Sequence, residues 1–255
     1  MSKLTRRSML RLSSRSALLA GAGLPLLGQD AGPKLQVVVV GGHPDDPESG
    51  CGGTIARYTD LGHPVTVLYL TRGEAGIKGK SHADAAAIRS AECLKACEIL
   101  KARPQFAGQI DGDTEVNAAR YQAFREILEA QHPDIVFTHW PIDSHRDHRA
   151  ASYLVYDAWL KARKSFELYY FEVNLGEQTQ NFHPTDYVDI TTTEPRKRAA
   201  CYAHASQDPV NGFYAEFHDK MNHFRGMEGG FKLAEGFVRH CQSPAPAVPA
   251  AVKPE

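Results

Sequence analysis

The 255-residue chain predicts an α/β fold, a Rossmann-like and mostly parallel sheet with helices on both faces. Three observations carry that expectation. Continuous apolar, β-branched runs such as Val37-Val38-Val39-Val40 read as strands buried on both faces. Longer stretches with apolar residues at helical spacing alternate with these runs through the first two-thirds of the chain. The first run also ends abruptly in Gly41-Gly42-His43-Pro44-Asp45-Asp46. A buried strand that delivers polar groups in this way is reaching the rim of the sheet, where such folds keep their ligands. No internal repeat or linker divides the chain.

Both ends are set apart from the fold. Thr5-Arg6-Arg7-Ser8-Met9-Leu10 lies in a basic segment with Lys3, Arg11 and Arg15, ahead of an apolar stretch from about Ala17 to Leu27. Gly21, Gly23 and Pro25 interrupt that stretch, which is too short to span a bilayer as a mature helix. Residues 1–32 therefore read as a twin-arginine export signal, with a periplasmic or extracellular destination and no membrane anchor after cleavage. The expected domain covers 33–242, and the Pro/Ala-rich residues 243–255 form an extended tail.

Within the domain, Leu35–Val40 is the first strand. Gly52-Gly53-Thr54 opens a helix to about Leu61, with Gly62 as its left-handed stop. Val65–Leu70 is a second strand, followed by the loop Thr71-Arg72-Gly73-Glu74-Ala75-Gly76. Ala83–Leu100 is a helix whose apolar side is expected to carry Ala87, Ile88, Ala91 and Leu94. Asn117–Gln131 is a second amphipathic helix, stopped by Pro133. Ile135–Thr138 is a strand, and His148–Arg163 a helix with Ala151, Leu154, Val155 and Ala158 in one stripe. Phe166–Val173 and Tyr187–Ile190 are strands. Thr193-Glu194-Pro195 begins a helix with a cap and an early proline. Phe213–Phe224 is the last helix, and Phe231–Val238 an extended closing segment.

Composition narrows the function. A net charge of -1 gives no basic surplus for nucleic acid. Five scattered Cys imply no disulfide framework. Twelve His exceed what packing requires and point to metal or acid–base chemistry.

Two segments hold that chemistry: His43-Pro44-Asp45-Asp46, and Asp143-Ser144-His145-Arg146-Asp147-His148. His43, Asp46 and His148 supply two imidazoles and a carboxylate, a catalytic zinc shell that leaves one position open for water. Iron(II) or another divalent ion suits the same donors. His43 and Asp46 are three residues apart in a turn that Pro44 stiffens, so both can face one ion. Asp45 lies between them and points elsewhere, as a general base does. His145 sits one turn before His148, where it can donate to an oxyanion. Asp143 or Asp147 can orient the imidazoles. Taken singly, H-P-D-D is an ordinary turn and H-x-x-H at a helix start is usually solvated. Their weight comes from both following apolar strands and so reaching one edge of the sheet.

Rival functions are a metal-dependent esterase or phosphoesterase on the same residues, and a catalytically silent sugar-binding module. A nucleotide-binding domain is disfavoured, since Gly50-Cys51-Gly52-Gly53 lacks the spaced G-x-G-x-x-G pattern. Cys51, Cys93 and Cys97 read as packing residues. His139 is expected beside the site or in the core, and His204 is a candidate for lining the cavity. His183, His218, His223 and His240 read as surface or core positions.

These residues resemble the LmbE-like / PIG-L family of zinc-dependent N-acetylglucosamine deacetylases, over Gln36 to about Val238. The resemblance rests on His43-Pro44-Asp45-Asp46, Gly50-Cys51-Gly52-Gly53-Thr54, Leu70-Thr71-Arg72-Gly73-Glu74 and Arg89…Glu92. It continues in Pro141-Ile142-Asp143-Ser144-His145-Arg146-Asp147-His148, His204-Ala205-Ser206-Gln207 and Ala234-Glu235-Gly236-Phe237. It implies an LmbE-like fold, with His43, Asp46 and His148 as zinc ligands, Asp45 as general base and His145 as oxyanion donor. It further implies Arg72 as a substrate-binding residue, an N-acetylated sugar or glycan as substrate, and trimeric or hexameric assembly. Two positions depart from the family pattern. Pro47 and then Glu48 stand where relatives have Glu directly after the Asp pair. Asp143 stands where some relatives have Tyr.

Overall fold

The computed structural model describes residues 33–173, 177–208 and 212–244. The expected export signal and residues 245–255 of the expected tail lie outside them. Ser243 and Pro244 still belong to the folded part, since Leu168 N–H donates to Ser243 Oγ at 3.1 Å and Arg239 donates to Pro244 O.

In chain order the elements are β1 (Val37–Gly41), α1 (Asp46–Asp60), β2 (Val65–Tyr69), α2 (His82–Leu100), β3 (Arg103–Phe106) and α3 (Ala118–Glu129). There follow β4 (Ile135–His139), α4 (Arg146–Lys161), β5 (Glu167–Phe171), β6 (Asp186–Asp189) and α5 (Glu194–Ala203). A π-helical turn, Tyr214–His218, runs directly into α6 (Asp219–Gly229), and β7 (Ala234–Arg239) closes the sheet. The strand order is β3-β2-β1-β4-β5-β7-β6. The first five strands are parallel, and β7 runs antiparallel to both β5 and β6. Among the described residues, no helix is long and apolar enough to cross a membrane.

The valine run shows why the sheet is covered twice. Side chains alternate across a strand, so Val37 and Val39 face one core with Ile55, Tyr69 and Phe137. Val38 and Val40 face the other, with Leu154 and Trp159 of α4. Each face buries its own apolar set, which is the condition for a central parallel strand.

Four elements differ from the sequence reading. The expected Phe213–Phe224 helix is the π-helical turn Tyr214–His218 followed by α6, and it ends five residues later, at Gly229. α1 begins at Asp46, six residues before the expected start at Gly52. The glycines there are accommodated because Gly53 and Thr54 N–H donate to the Glu235 carboxylate, at 2.9 and 2.8 Å, partway along the helix. β3 went unrecognised because Arg103-Pro104-Gln105-Phe106 is a short, polar edge strand with a proline. The buried side of α2 carries Ala85, Arg89, Cys93, Ala96, Cys97 and Leu100, while Leu94 of the expected stripe is 56 % exposed. The inner face of this helix is given over to a cation that serves the site.

β1 lies between β2 and β4, so the chain leaves it in both directions. Such a topological switch opens a crevice at the carboxyl ends of the strands. The crevice is bridged where Gly42 N–H donates to His139 Nε2 at 3.0 Å. Any Cβ on Gly42 would stand 2.9 Å from the His148 ring, so the close approach of β1 to α4 requires glycine.

Candidate metal centre

The turn after β1 is strained. Asp45, the N-cap of α1, holds φ at 113° and ψ at -32°. A non-glycine residue pays roughly 1–3 kcal/mol for such backbone, and strain of this kind gathers at functional sites. Arg89 holds the bend by donating to Pro44 O and, over 2.9 Å, to Asp45 Oδ2. Its guanidinium in turn fits against Gly73 and Gly76, where any Cβ would collide with it.

Behind that turn three donor atoms converge. Asp46 Oδ2 lies 3.2 Å from His43 Nδ1 and 3.2 Å from His148 Nε2, and the two nitrogens are 3.3 Å apart. Ligands bound tetrahedrally at about 2.0–2.1 Å stand about 3.3–3.4 Å from one another, so the triangle has the size of one face of a zinc shell. The far nitrogen of each ring faces carboxylates. His43 Nε2 lies 3.1 Å from Asp147 Oδ2 and 3.2 Å from Asp111 Oδ1. His148 Nδ1 lies 3.2 Å from Asp143 Oδ1. Carboxylates at those positions keep the proton on the far nitrogen and turn the lone pair of the near one towards the triangle.

The electrostatics favour a cation here. Burial disfavours charge on His43, but Asp111, Asp147 and Asp46 outweigh it and lift its pKa well above 6.5. Burial likewise opposes charge on His148, which Asp46 and Asp143 nevertheless raise to about 9. Asp46 is held well below the usual carboxylate range, since His148 and His139 overcome its burial. Carboxylates that favour positive charge on both imidazoles, together with the anionic Asp46, fit a divalent ion in donor type and spacing.

His139 and His145 complete the cluster. His139 ends β4, stacks on the His148 ring at 4.0 Å and reaches Asp46 Oδ2 at 3.2 Å. Burial and the neighbouring His148 depress its pKa to about 4. Asp46, His139 and His148 thus form another donor set able to hold an ion, as do His43, His145 and His148. His145 is the N-cap of α4, and its Nδ1 accepts from Asp147 N–H at 3.3 Å. An accepting Nδ1 puts the proton of the neutral ring on Nε2, which is then a donor. Burial, with His43 and His148 nearby, lowers the pKa of His145 and keeps it neutral.

These groups open onto a cavity of about 540 Å³, with Asp45, Asp111, His145 and Gln178 on the cluster side. Tyr202, His204, Phe213, Tyr214 and His218 also line it, with Ser49 among the other lining residues. The structure brings together His43, Asp45, Asp46, His145 and His148, with Asp143 and Asp147 behind the imidazoles. It does not bring Arg72, whose exposed guanidinium lies over the Phe106 ring, 5.1 Å from its centroid, outside the cavity lining. Sequence reading gave no role to Asp111, Gln178 or His218. Asp111 follows a strand that was itself unrecognised, and no spacing in the sequence links Gln178 or His218 to the two segments. Arg89 was visible only as part of a family pattern.

A profile of the PIG-L family, described as GlcNAc-PI de-N-acetylase, matches residues 38–159. Diacetylchitobiose deacetylase of Thermococcus kodakarensis is 31% identical over 219 residues, covering 79% of this chain and 81% of that one. The chain belongs to the PIG-L family. The solved structure of a conserved protein from Thermus thermophilus superposes on this family member with a TM-score of 0.71 and 32% identity. The match covers 84% of this chain and 98% of the other. The family is not confined to one chemistry. A 4-oxalmesaconate hydratase of Pseudomonas putida is 28% identical over 203 residues, 71% of this chain and 78% of that protein.

Proposed function

We propose that this PIG-L family member is a zinc-dependent hydrolase that removes the N-acetyl group from an N-acetylglucosamine-type amino sugar or conjugate. The observation that carries the reading is the triangle of His43 Nδ1, Asp46 Oδ2 and His148 Nε2 at 3.2–3.3 Å, with Asp45 lining the same cavity. His43, Asp46 and His148 would hold the ion. When bound, zinc supplies Lewis acidity, which polarises a carbonyl and brings the pKa of a water to about 7.

The other steps belong to the chain. Asp45 faces the cavity with 29% of its side chain exposed. Burial pushes its carboxyl up, against the pull of the Arg89 cation, which makes it a better base than a surface aspartate. Asp45 takes a proton from the attacking water and returns it to the leaving amine nitrogen. His145 donates from Nε2 to the carbonyl oxygen as charge builds on it. Asp111, Asp143 and Asp147 keep the imidazoles in one tautomer and orientation. The basic, twin-arginine N-terminus supports an exported enzyme with a substrate in the cell envelope or outside it.

The test is metal analysis of the purified protein, together with amine and acetate release from a panel of N-acetylated sugars. One zinc per chain and stoichiometric amine are expected; a metal-replete protein releasing no amine from any member refutes the reading. The Pseudomonas putida relative favours a second reading, water addition to a C=C bond by the same base. That reaction consumes an unsaturated acid and yields no amine, so the two assays separate them.

A further inference from the structure

We propose that Ser49 and His218 form the hydroxyl-binding edge of a sugar subsite, one helical turn from Asp45 and flanked by the rings of Phe213 and Tyr214. This inference rests on the amino-sugar reading above and names the residues that would hold the sugar ring while its acetamide lies against Asp45 and His145.

Spacing is the first argument. Ser49 N–H donates to Asp45 O at 2.9 Å, so Ser49 stands one turn along α1 on the same side as the base. Residues four apart on a helix are about 5–6 Å apart. That distance suits a substrate whose carbonyl is at Asp45 and whose ring hydroxyls lie further along the helix.

Chemistry is the second. Ser49 Oγ and His218 Nε2 are 3.3 Å apart, and both residues line the cavity. A hydroxyl has one donor and two acceptor sites, so this contact leaves Ser49 capacity for a ligand hydroxyl. Burial and the Lys197 ammonium hold the His218 pKa down to about 3, so the ring is neutral. Lys197 is itself fixed by Glu235 at 2.7 Å and Asn222 at 3.0 Å. A neutral imidazole beside a serine suits an uncharged hydroxyl and offers no counter-charge to a carboxylate or phosphate.

Shape is the third. The π-helical turn Tyr214–His218 borders the cavity, and such turns recur at functional sites. Tyr214 Oη is taken up by Glu194 at 2.9 Å and by Asn222 at 3.1 Å, leaving its ring to serve as wall. The Phe213 and Tyr214 rings lie 5.4 and 5.5 Å from that of His218. Aromatic walls with a few fixed polar groups are the usual make-up of a small-molecule site. A pyranose, with C–H faces and a rim of hydroxyls, matches both parts.

The test compares N-acetylglucosamine with the acyclic N-acetylethanolamine as substrates of the zinc-loaded full chain. His218→Phe is expected to lower the ratio of kcat/KM for the sugar over the acyclic amide by about tenfold, the worth of one hydrogen bond. The loss should fall on KM, and His218→Gln should recover most of it. An unchanged ratio, or equal loss on both substrates, overturns the proposal. Should His218→Phe fail to fold, as judged by circular dichroism, Ser49→Ala carries the same comparison. If the wild-type chain releases no amine, the deacetylase reading fails by itself. Calorimetric binding of glucosamine then decides the subsite, with equal affinity for wild type and variants overturning it.

Discussion

Arg89 Nη2 and Asp45 Oδ2 are 2.9 Å apart, which ties the middle of α2 to the turn that follows β1. Arg89 also donates to Pro44 O, so two hydrogen bonds from one guanidinium set the direction of the proposed base. Arg89→Met removes both and leaves the three donor atoms of the triangle untouched. We expect zinc content to stay near that of the wild type while kcat falls by about 10–100-fold, as misplacement of a catalytic group does. Lys at this position lacks the planar fork and should rescue little. Full activity in Arg89→Met would show that the bend holds without its clamp.

His145→Ala separates oxyanion stabilisation from metal binding. Loss of one donor typically lowers kcat by about 10²–10³. Plasma emission analysis should find the metal content of the variant unchanged. Loss of zinc would instead assign His145 to the ion, as the His43, His145 and His148 grouping allows.

Asp143→Asn acts through the His148 ring. The carboxylate lies 3.2 Å from Nδ1 and is held below its usual pKa, its burial overcome by His148. Substitutions behind a ligating histidine cost about 10–100-fold in metal affinity. Competition with a chromophoric chelator measures this directly, and an unaltered zinc affinity would remove Asp143 from the support of the ring.

Glu235→Ala is a prediction about stability. Glu235 caps Gly53 and Thr54 within α1 and pairs with the buried Lys197 at 2.7 Å. Truncation strands the ammonium, and an unpaired buried charge costs about 3–5 kcal/mol. Thermal melts should show a large fall in Tm, and a fall of only a degree or two would mean that Lys197 finds another partner.

Acid sensitivity follows from His218. Its pKa is about 3 in the fold against 6.5 ordinarily, so the unfolded chain binds a proton that the folded one refuses. The associated stability is complete above pH 6.5 and falls away as pH drops towards 3. By linkage the full loss is on the order of 5 kcal/mol, with roughly 2–3 kcal/mol gone by pH 4.5. His218→Gln should narrow the gap between urea midpoints at pH 7 and pH 4.5. An identical gap in variant and wild type would show that folding does not depress the His218 pKa.

The parts of the fold legible in sequence were those where pattern and burial agree. Val37–Val40 and the α4 stripe of Ala151, Leu154, Val155 and Ala158 are buried as their spacing implies. α2 misled because its spacing selected Ala87, Ile88, Ala91 and Leu94, while a cation and two thiols occupy the inner face. At the site, the residues within two short segments were legible because each segment directly follows an apolar strand. Asp111, Gln178 and His218 were not, since they reach the cavity from elements that tertiary packing alone brings near. Arg72 stood in a recognisable loop, yet its side chain turns outward to Phe106.

The left-handed backbone at Asp45 sets durability against turnover. Alanine normally outlasts glycine because the unfolded chain has less freedom to lose. Here the order should invert: of two equally inert proteins, Asp45→Gly should outlive Asp45→Ala by about 1–3 kcal/mol, the tension that a Cβ imposes at that corner.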